Sequence, residues 1–163
     1  CGTSPAANRV NIRGRTRKLA EVKAVCISER KGTMKHEVPE IKVRLKHGIE
    51  GDAHAGDWHR QISLLGTESV DKLRHILPDI PAGAFAENIL TEGITLYELP
   101  VGTRLRVGGA LLEVTQIGKE CHKDCAIRQQ VGDCVMPREG IFTVVVEEGS
   151  IKAGDKIEIV SEN

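Results

Sequence analysis

The sequence predicts a mainly β fold, a closed or nearly closed β-barrel with a few short helices. Three observations lead to this prediction. Many short segments alternate apolar and polar residues, glycine-containing turns separate them, and one segment has clear helical spacing. Strands and helices do not alternate regularly along the chain, so a Rossmann-type domain is not expected.

Length and composition define the domain. The chain has 163 residues, the size of one domain. A domain of this size buries roughly 70% of its unfolded surface and needs no disulfides to stay folded. Residues 1–18 are rich in arginine and are interpreted as a flexible basic arm or a vector-derived leader. Residues 19–163 are predicted to form the domain.

Charge and hydropathy exclude several classes of protein. Lys and Arg together number 23, as do Asp and Glu, which argues against a nucleic acid or a membrane surface as the partner. No apolar run approaches the roughly 18 residues of a transmembrane helix, and no signal peptide is visible. Five cysteines are present, three of them clustered. This pattern indicates thiol or metal chemistry in a reducing compartment, and we expect a cytoplasmic protein.

In the first half of the chain, alternation predicts strands over Ala20–Ile27 and Ile41–Leu45, and Gln61–Leu65 is a shorter candidate. Cys26 falls within the first of these and is interpreted as a buried structural thiol. A helix is predicted over Thr67–Leu77, with Thr67 as its N-cap and prolines ending it.

The second half is predicted to be rich in strands. Arg104–Val107 and Leu111–Ile117 flank Gly108-Gly109, and paired glycines supply the positive φ angles of a tight hairpin turn. Two further strands are predicted over Phe142–Glu147 and Lys156–Val160.

The segment from Gly118 to Gly140 carries the densest chemistry. It contains Cys121, Cys125 and Cys134 beside His122. If a short helix begins at His122, its positive end would lower the pKa of the Cys121 thiol, helped by Lys119 and Lys123. Three interpretations stay open: a reactive thiol, buried inert thiols, or a metal site formed by the three cysteines and His122.

A second cluster lies in the loop from Gly51 to Arg60. Asp52, His54 and Arg60 would form an anion or cofactor cradle, in which Arg60 contacts a phosphate or carboxylate and His54 relays protons. A metal site would need His54, His59 and a carboxylate, and the alternative to both is a turn-rich surface loop. In a third cluster, Glu87 and Asn88 either line a pocket or make a turn.

These clusters, in this order, resemble the MOSC domain, named for the C-terminal domain of molybdenum-cofactor sulfurase. The resemblance runs from about Leu19 to Val160. Its matching segments are Gly48-Ile-Glu-Gly-Asp-Ala-His, Arg60-Gln-Ile-Ser-Leu-Leu, Phe85-Ala-Glu-Asn-Ile, Leu99-Pro-Val-Gly-Thr, Glu113-Val-Thr-Gln followed by Cys121, and Gly154-Asp.

The resemblance implies a β-rich fold built on a barrel of the pyruvate-kinase type. It also implies one family cysteine, which maps to Cys121 and either carries sulfur as a persulfide or ligates the metal of a pterin cofactor. Familiar members read Gln-Pro-Arg-x-Pro-Cys here, whereas this chain reads Gln116-Ile-Gly-Lys-Glu-Cys121. Lys119 would supply the missing positive charge.

The resulting hypothesis is a sulfur carrier or sulfurtransferase of molybdenum- or tungsten-cofactor metabolism. Cys121 would take sulfur from a donor such as a cysteine desulfurase and pass it to the cofactor or its enzyme. Lys119, His122 and Arg128 would stabilise the sulfur anion on Cys121. The Gly51–Arg60 loop would face these three residues. Two alternatives remain. One is a molybdenum-pterin-binding protein with Cys121 as metal ligand and Arg60, Lys119 and Arg138 on the phosphate. The other is a non-enzymatic zinc or iron module.

Overall fold

The computed structural model describes residues 20–30, 34–72, 80–118 and 139–161. Within these ranges the chain is mainly β. The strands are β1 Ala20–Ile27, β2 His36–Val38, β3 Glu40–Arg44, β4 Gly48–Ile49, β5 Ile62–Gly66, β6 Ile89–Glu92, β7 Arg104–Val107, β8 Ala110–Ile117, β9 Ile141–Glu147, β10 Gly149–Lys152 and β11 Lys156–Ser161. The helices described are α1, Thr67–Asp71, and a 3-10 turn, Leu96–Glu98. Among these helices none is both long and apolar enough to cross a membrane.

Seven strands close into a barrel in the order β1-β11-β7-β8-β9-β5-β6, and β6 pairs with β1 again. The predicted β-barrel is therefore confirmed. Six of the seven pairings are antiparallel, and the pairing of β5 with β6 is parallel. A closed barrel with an odd number of strands needs at least one parallel pairing. Each antiparallel pairing reverses the strand direction, and after one full circuit the direction must be the starting one. The chain between β5 and β6 makes the crossover that a parallel pair needs, and α1 begins it.

The barrel wall is buried on two faces at β5. Ile62 and Leu64 belong to the larger apolar cluster, whereas Leu65 belongs to a smaller one with Val70 of α1 and Phe85. All five residues of β5, including the polar Ser63, are accordingly buried. A second sheet, in the order β10-β3-β4, lies beside the barrel.

The predicted hairpin between β7 and β8 is present, with Val107 opposite Ala110 across the turn. Of the two glycines, Gly108 has a positive φ of 56°, whereas Gly109 is outside that region. A Cβ at Gly108 would also collide with the Asp155 carboxylate. The first glycine is therefore required by conformation and by close approach, and the prediction of two positive φ angles was wrong for the second.

The predicted helix begins where expected, but its cap was wrong. Gly66 is the N-cap, in an extended conformation, and Thr67 is already helical with no side-chain cap bond. The reason is that β5 runs directly into α1, so Gly66 is at once the last strand residue and the cap. Glu68 lies in the first turn, and its carboxylate accepts a hydrogen bond from Gly93 N at 2.8 Å. Residues 73–79, which include the rest of the predicted helix, lie outside the described residues.

Four strands were not predicted: β2, β4, β6 and β10. Each has two to four residues, too few for alternation to be visible in the sequence. Two of them position the candidate site, because β2 follows Lys35 directly and β4 leads into the Gly51–Arg60 loop.

Candidate functional site

The Gly51–Arg60 loop connects β4 to β5. Gly51 has a φ of 85°, which turns the chain sharply at the end of β4. The Asp52 carboxylate then accepts a hydrogen bond from His54 N at 3.1 Å, so the aspartate closes a local turn and fixes the backbone that carries His54. The indole of Trp58 donates to the His54 carbonyl at 2.9 Å and braces the loop from its other end.

Beneath this loop lies a buried ion pair that was not predicted from the sequence. Lys35 Nζ is 2.8 Å from Asp52 Oδ1, and both side chains are 0% exposed. Asp52 Oδ1 also accepts a hydrogen bond from Ser28 N at 3.1 Å. Burying a carboxylate is costly unless a cation and hydrogen-bond donors surround it, and Asp52 has both kinds of partner. Asp52 is therefore an internal anchor of the loop.

His54 lies at the boundary between this pair and the surface. Its Nδ1 is 3.1 Å from Lys35 Nζ, and its side chain is 26% exposed. The Lys35 ammonium also donates to Ser28 Oγ at 3.0 Å. One buried cation thus connects the loop to β1, at whose end Ser28 lies.

Lys35 is held in place by the Gly83–Asn88 turn. Its backbone N donates to the Gly83 carbonyl at 2.8 Å, and a Cβ at Gly83 would collide with the Lys35 carbonyl. The Glu87 carboxylate accepts hydrogen bonds from Gly83 N at 2.8 Å and Phe85 N at 3.1 Å. Burial raises the pKa of Glu87 to about 7, and these backbone bonds oppose the shift only in part.

Asn88 is buried in the same turn and fastens it to the barrel. Its side-chain oxygen accepts from Ser63 N at 3.0 Å, and its side-chain nitrogen donates to the Cys26 carbonyl at 3.1 Å. Glu87 and Asn88 are each 1% exposed. Of the two roles that the sequence left open for them, these contacts support the turn over the pocket lining.

Cys26 is buried as predicted, with 0% exposure. Burial raises the pKa of its thiol to about 12, and the nearby Glu87 carboxylate adds to the shift. The thiolate is the nucleophilic form of cysteine, so this thiol is held in its unreactive state.

Arg60 is the last residue of the loop, and its cationic side chain packs against two aromatic rings. Its guanidinium carbon lies 4.8 Å from the centre of the Trp58 ring and 5.5 Å from that of Phe142. Its Nε is buried and has no hydrogen-bond partner among the described residues. A buried N–H of a cation without an acceptor is costly, and this suits the group to bind an anion.

The loop contacts the end of β8, from which the Gly118–Gly140 segment departs. His59 Nε2 is 2.8 Å from Gln116 Oε1, and Thr115 Oγ1 donates to the His59 carbonyl. Gly118 N donates to the Gly140 carbonyl at 2.7 Å, so the two ends of the segment are joined beside the loop. His59 is thus a structural contact of the loop.

The remaining predicted site residues lie outside the described residues: Lys119, Cys121, His122, Cys125, Arg128, Cys134 and Arg138. The metal-binding alternative at the cysteines therefore stays a prediction. Within the described ranges, no group of three or more His, Cys, Asp or Glu side chains is arranged to hold a metal ion. The arrangement of His54 and His59 around a metal with a carboxylate is accordingly not formed there.

The barrel and the order of these segments agree with the comparison to known families. The MOSC domain matches residues 51–158 of the chain, which include the loop, the turn and the end of β8. The chain belongs to the MOSC domain family. This family is associated with molybdenum-cofactor-related proteins. No curated protein matches the chain significantly.

Solved structures agree on the fold. The YuaD protein from Bacillus subtilis is similar with a TM-score of 0.73 at 21% identity, over 88% of this chain and 96% of that one. YiiM from Geobacillus stearothermophilus has a TM-score of 0.68 at 23% identity, over 87% and 75% of the two chains. YiiM from Escherichia coli has a TM-score of 0.64 at 23% identity, over 89% and 71%. At these identities the likeness supports the MOSC fold alone.

Lys35 and Ser28 are the site residues of this MOSC domain that were not predicted from the sequence. Neither stands in a motif, and Lys35 is followed by a strand of three residues. A lysine before a short strand normally reads as a solvated surface residue. The burial of Asp52 would have pointed to it, since a buried carboxylate needs a cationic partner and the loop's own Arg60 packs against Trp58 and Phe142.

Proposed function

We propose that this MOSC domain is a sulfur carrier or sulfurtransferase of molybdenum- or tungsten-cofactor metabolism and uses Cys121 as a persulfide-forming thiol. The observation that supports it most is the junction of the Gly51–Arg60 loop with both ends of the Gly118–Gly140 segment. Cys121 follows Gly118 by three residues. Covalent geometry keeps its Cα within about 11 Å of that of Gly118. In this proposal the polar groups of the loop face the thiol.

In the first step the Cys121 thiolate attacks the outer sulfur of a donor persulfide, such as that of a cysteine desulfurase. A bond forms between Cys121 Sγ and that sulfur, the S–S bond of the donor breaks, and the donor leaves as a thiolate. One S–S bond replaces another, so no oxidant or reductant is needed. In the second step a thiolate of the acceptor protein attacks the outer sulfur and releases the Cys121 thiolate.

The positive groups proposed around Cys121 would stabilise both the Cys121 thiolate and the anionic outer sulfur of its persulfide. Arg60 carries a buried N–H that has no acceptor within the described part of the chain, and Lys119 stands two residues before the thiol. Cations near a cysteine lower the pKa of the thiol and so raise the thiolate fraction. His122 and Arg128 would contribute in the same way.

Persulfide formation tests this proposal directly. After incubation with a cysteine desulfurase and cysteine, the intact protein is expected to gain the mass of one sulfur atom, and peptide mapping should find it on Cys121. Cys121→Ser should lose the adduct. Cys26→Ala is the matched control and should keep it, because the Cys26 thiol is buried with its pKa raised to about 12. An adduct that survives Cys121→Ser would contradict the proposal.

A second candidate is a molybdenum-pterin-binding protein, and the environment of Arg60 favours it. A buried guanidinium Nε to which no described residue offers an acceptor suits the phosphate of a pterin cofactor. Arg60, with Lys119 and Arg138, would hold that phosphate, and Cys121 would ligate the metal. When bound, the cofactor would supply a redox-active molybdenum centre. The chain's own contribution would be to bind and orient the cofactor.

Replacing Arg60 with Met separates the two candidates. If the protein binds the cofactor, pterin should co-purify with protein expressed in a molybdate-fed host, and Arg60→Met should lose most of it. The matched control is Arg104→Met, since Arg104 is exposed and paired with Glu113 at 3.0 Å. This control should retain the pterin. Fluorescence of the oxidised pterin measures the content, and equal content in both variants would argue against the phosphate role of Arg60.

A further inference from the structure

Within the described part of the chain, three charged side chains are buried, and their charges do not balance. They are Lys35, Asp52 and Glu87. Lys35 Nζ and Asp52 Oδ1 form an ion pair at 2.8 Å. If Glu87 is also ionised, one buried cation stands against two buried carboxylates, whereas a neutral Glu87 leaves the charges in balance. Because a buried charge without a counterion is costly, the protonation of Glu87 affects the whole group.

Glu87 is connected to Lys35 through one residue, Gly83. Gly83 N donates to Glu87 Oε2 at 2.8 Å, and the Gly83 carbonyl accepts from Lys35 N at 2.8 Å. The other carboxylate oxygen, Oε1, accepts from Phe85 N at 3.1 Å. These donors are uncharged backbone groups. They hold the carboxyl group in place beside the Lys35 segment, but they do not supply a counterion to it.

The two buried carboxylates share the charge of Lys35. Asp52 contacts the ammonium directly, whereas Glu87 feels it at longer range: burial raises the pKa of Glu87, and the charge of Lys35 opposes that rise. The neighbouring Cys26 thiol does not add a charge, because its pKa is raised to about 12. The other titratable groups that stand around these residues are Glu37 of β2 and His54 of the loop, whose Nδ1 is 3.1 Å from Lys35 Nζ.

We propose that Glu87 is a proton-controlled latch on the Gly51–Arg60 loop. Protonated Glu87 leaves the Lys35 ammonium to Asp52, which then holds the loop. Ionised Glu87 draws the same ammonium toward the Gly83–Asn88 turn and weakens its bond to Asp52. The pKa of Glu87 is about 7, so the change falls near neutral pH, and the loop is held more tightly on the acidic side. This device goes beyond the proposed function, because it acts on the loop whatever the loop binds.

NMR of the full wild-type chain across neutral pH tests the latch. The side-chain carboxyl carbon of Glu87 reports its ionisation, and the Ser28 amide, which donates to Asp52 Oδ1 at 3.1 Å, reports the state of the anchor. Both signals should change with one midpoint near pH 7. The change at Ser28 should be lost in Glu87→Gln and kept in His54→Gln, which removes the other titrating neighbour of Lys35. A Ser28 amide that stays constant while Glu87 ionises, or a transition that disappears with His54, would overturn the proposal.

The second measurement uses the competition for Lys35. In Asp52→Asn the ammonium has lost its carboxylate partner and is free to stabilise ionised Glu87. The midpoint of Glu87 should therefore fall by about 1 to 3 pH units, the effect of an opposite charge that comes close. Glu113→Gln is the matched control, because Glu113 pairs with Arg104 on the far strands β7 and β8, and it should leave the midpoint unchanged. An unchanged midpoint in Asp52→Asn would show that the two carboxylates do not share Lys35 and would contradict the latch.

Discussion

Replacing Lys35 with Met is expected to lower the free energy of unfolding by about 3–5 kcal/mol. Met has a similar length but no charge, so the substitution leaves the Asp52 carboxylate buried and unpaired; both side chains are 0% exposed in the native protein. Ser28 Oγ loses its donor at the same time, and His54 Nδ1 loses its contact with Lys35 Nζ. Domains are commonly stable by only about 5–15 kcal/mol, so the loss is a large part of the total.

Urea unfolding followed by circular dichroism measures this loss. Lys42→Met is the matched control, because Lys42 is an exposed residue of β3, and it should stay within about 0.5 kcal/mol of wild type. The double variant Lys35→Met/Asp52→Asn should recover part of the stability, since it no longer buries an unpaired charge. A single variant as stable as wild type would show that the ion pair does not anchor the loop.

Glu87→Gln is expected to change how stability depends on pH. The folded pKa of Glu87 is about 7 against an ordinary value of 4.5, so the folded state holds the proton more tightly than the unfolded state. The stability that this proton contributes is present below pH 4.5 and is lost as the pH rises through about 7. The shift corresponds to about 3 kcal/mol. Gln does not titrate and should remove this component.

The measured quantity is the unfolding free energy of wild type minus that of Glu87→Gln, followed between pH 4.5 and pH 7. It should fall with rising pH by an amount of the order of 3 kcal/mol. The absolute difference in unfolding free energy also contains a cost that does not depend on pH. In Glu87 both carboxylate oxygens accept a backbone hydrogen bond, whereas the side-chain nitrogen of Gln cannot accept one. Glu98→Gln, at an exposed residue, is the matched control for the Glu-to-Gln change itself. A flat difference for Glu87→Gln would mean that burial does not perturb this carboxyl.

Much of the barrel could be predicted from the sequence because its strands are long enough to show which face is buried. β1 was predicted with its observed bounds, and β7 and β8 were predicted from the Gly108-Gly109 turn between them. The order of the motifs along the chain also indicated the MOSC family, and the family match over residues 51–158 confirms it. The N-cap of α1 was missed, because nothing in the sequence shows that a strand runs into a helix with no connecting residue.

The candidate site was predicted only in part. Asp52, His54 and Arg60 stand within one loop, so their proximity in sequence already pointed to a shared role. Lys35 lies 17 residues before Asp52, and its burial depends on Gly83 and Glu87, which come much later in the chain. Contacts between distant segments leave no periodicity in the sequence, so they could not be predicted from it.

The sequence by itself determined the fold class, the family and the loop that carries the polar side chains, because alternation and motif order are local properties of the chain. The tertiary structure alone decided which polar side chains of the loop and of the Gly83–Asn88 turn are buried anchors and which face outward. It buried Asp52 against Lys35, turned Glu87 and Asn88 inward, and gave Arg60 Nε no acceptor from residues 20–30, 34–72, 80–118 or 139–161. The physical reason is that charge, burial and hydrogen bonding depend on which segments the closed barrel brings together, and barrel closure is a property of the whole chain.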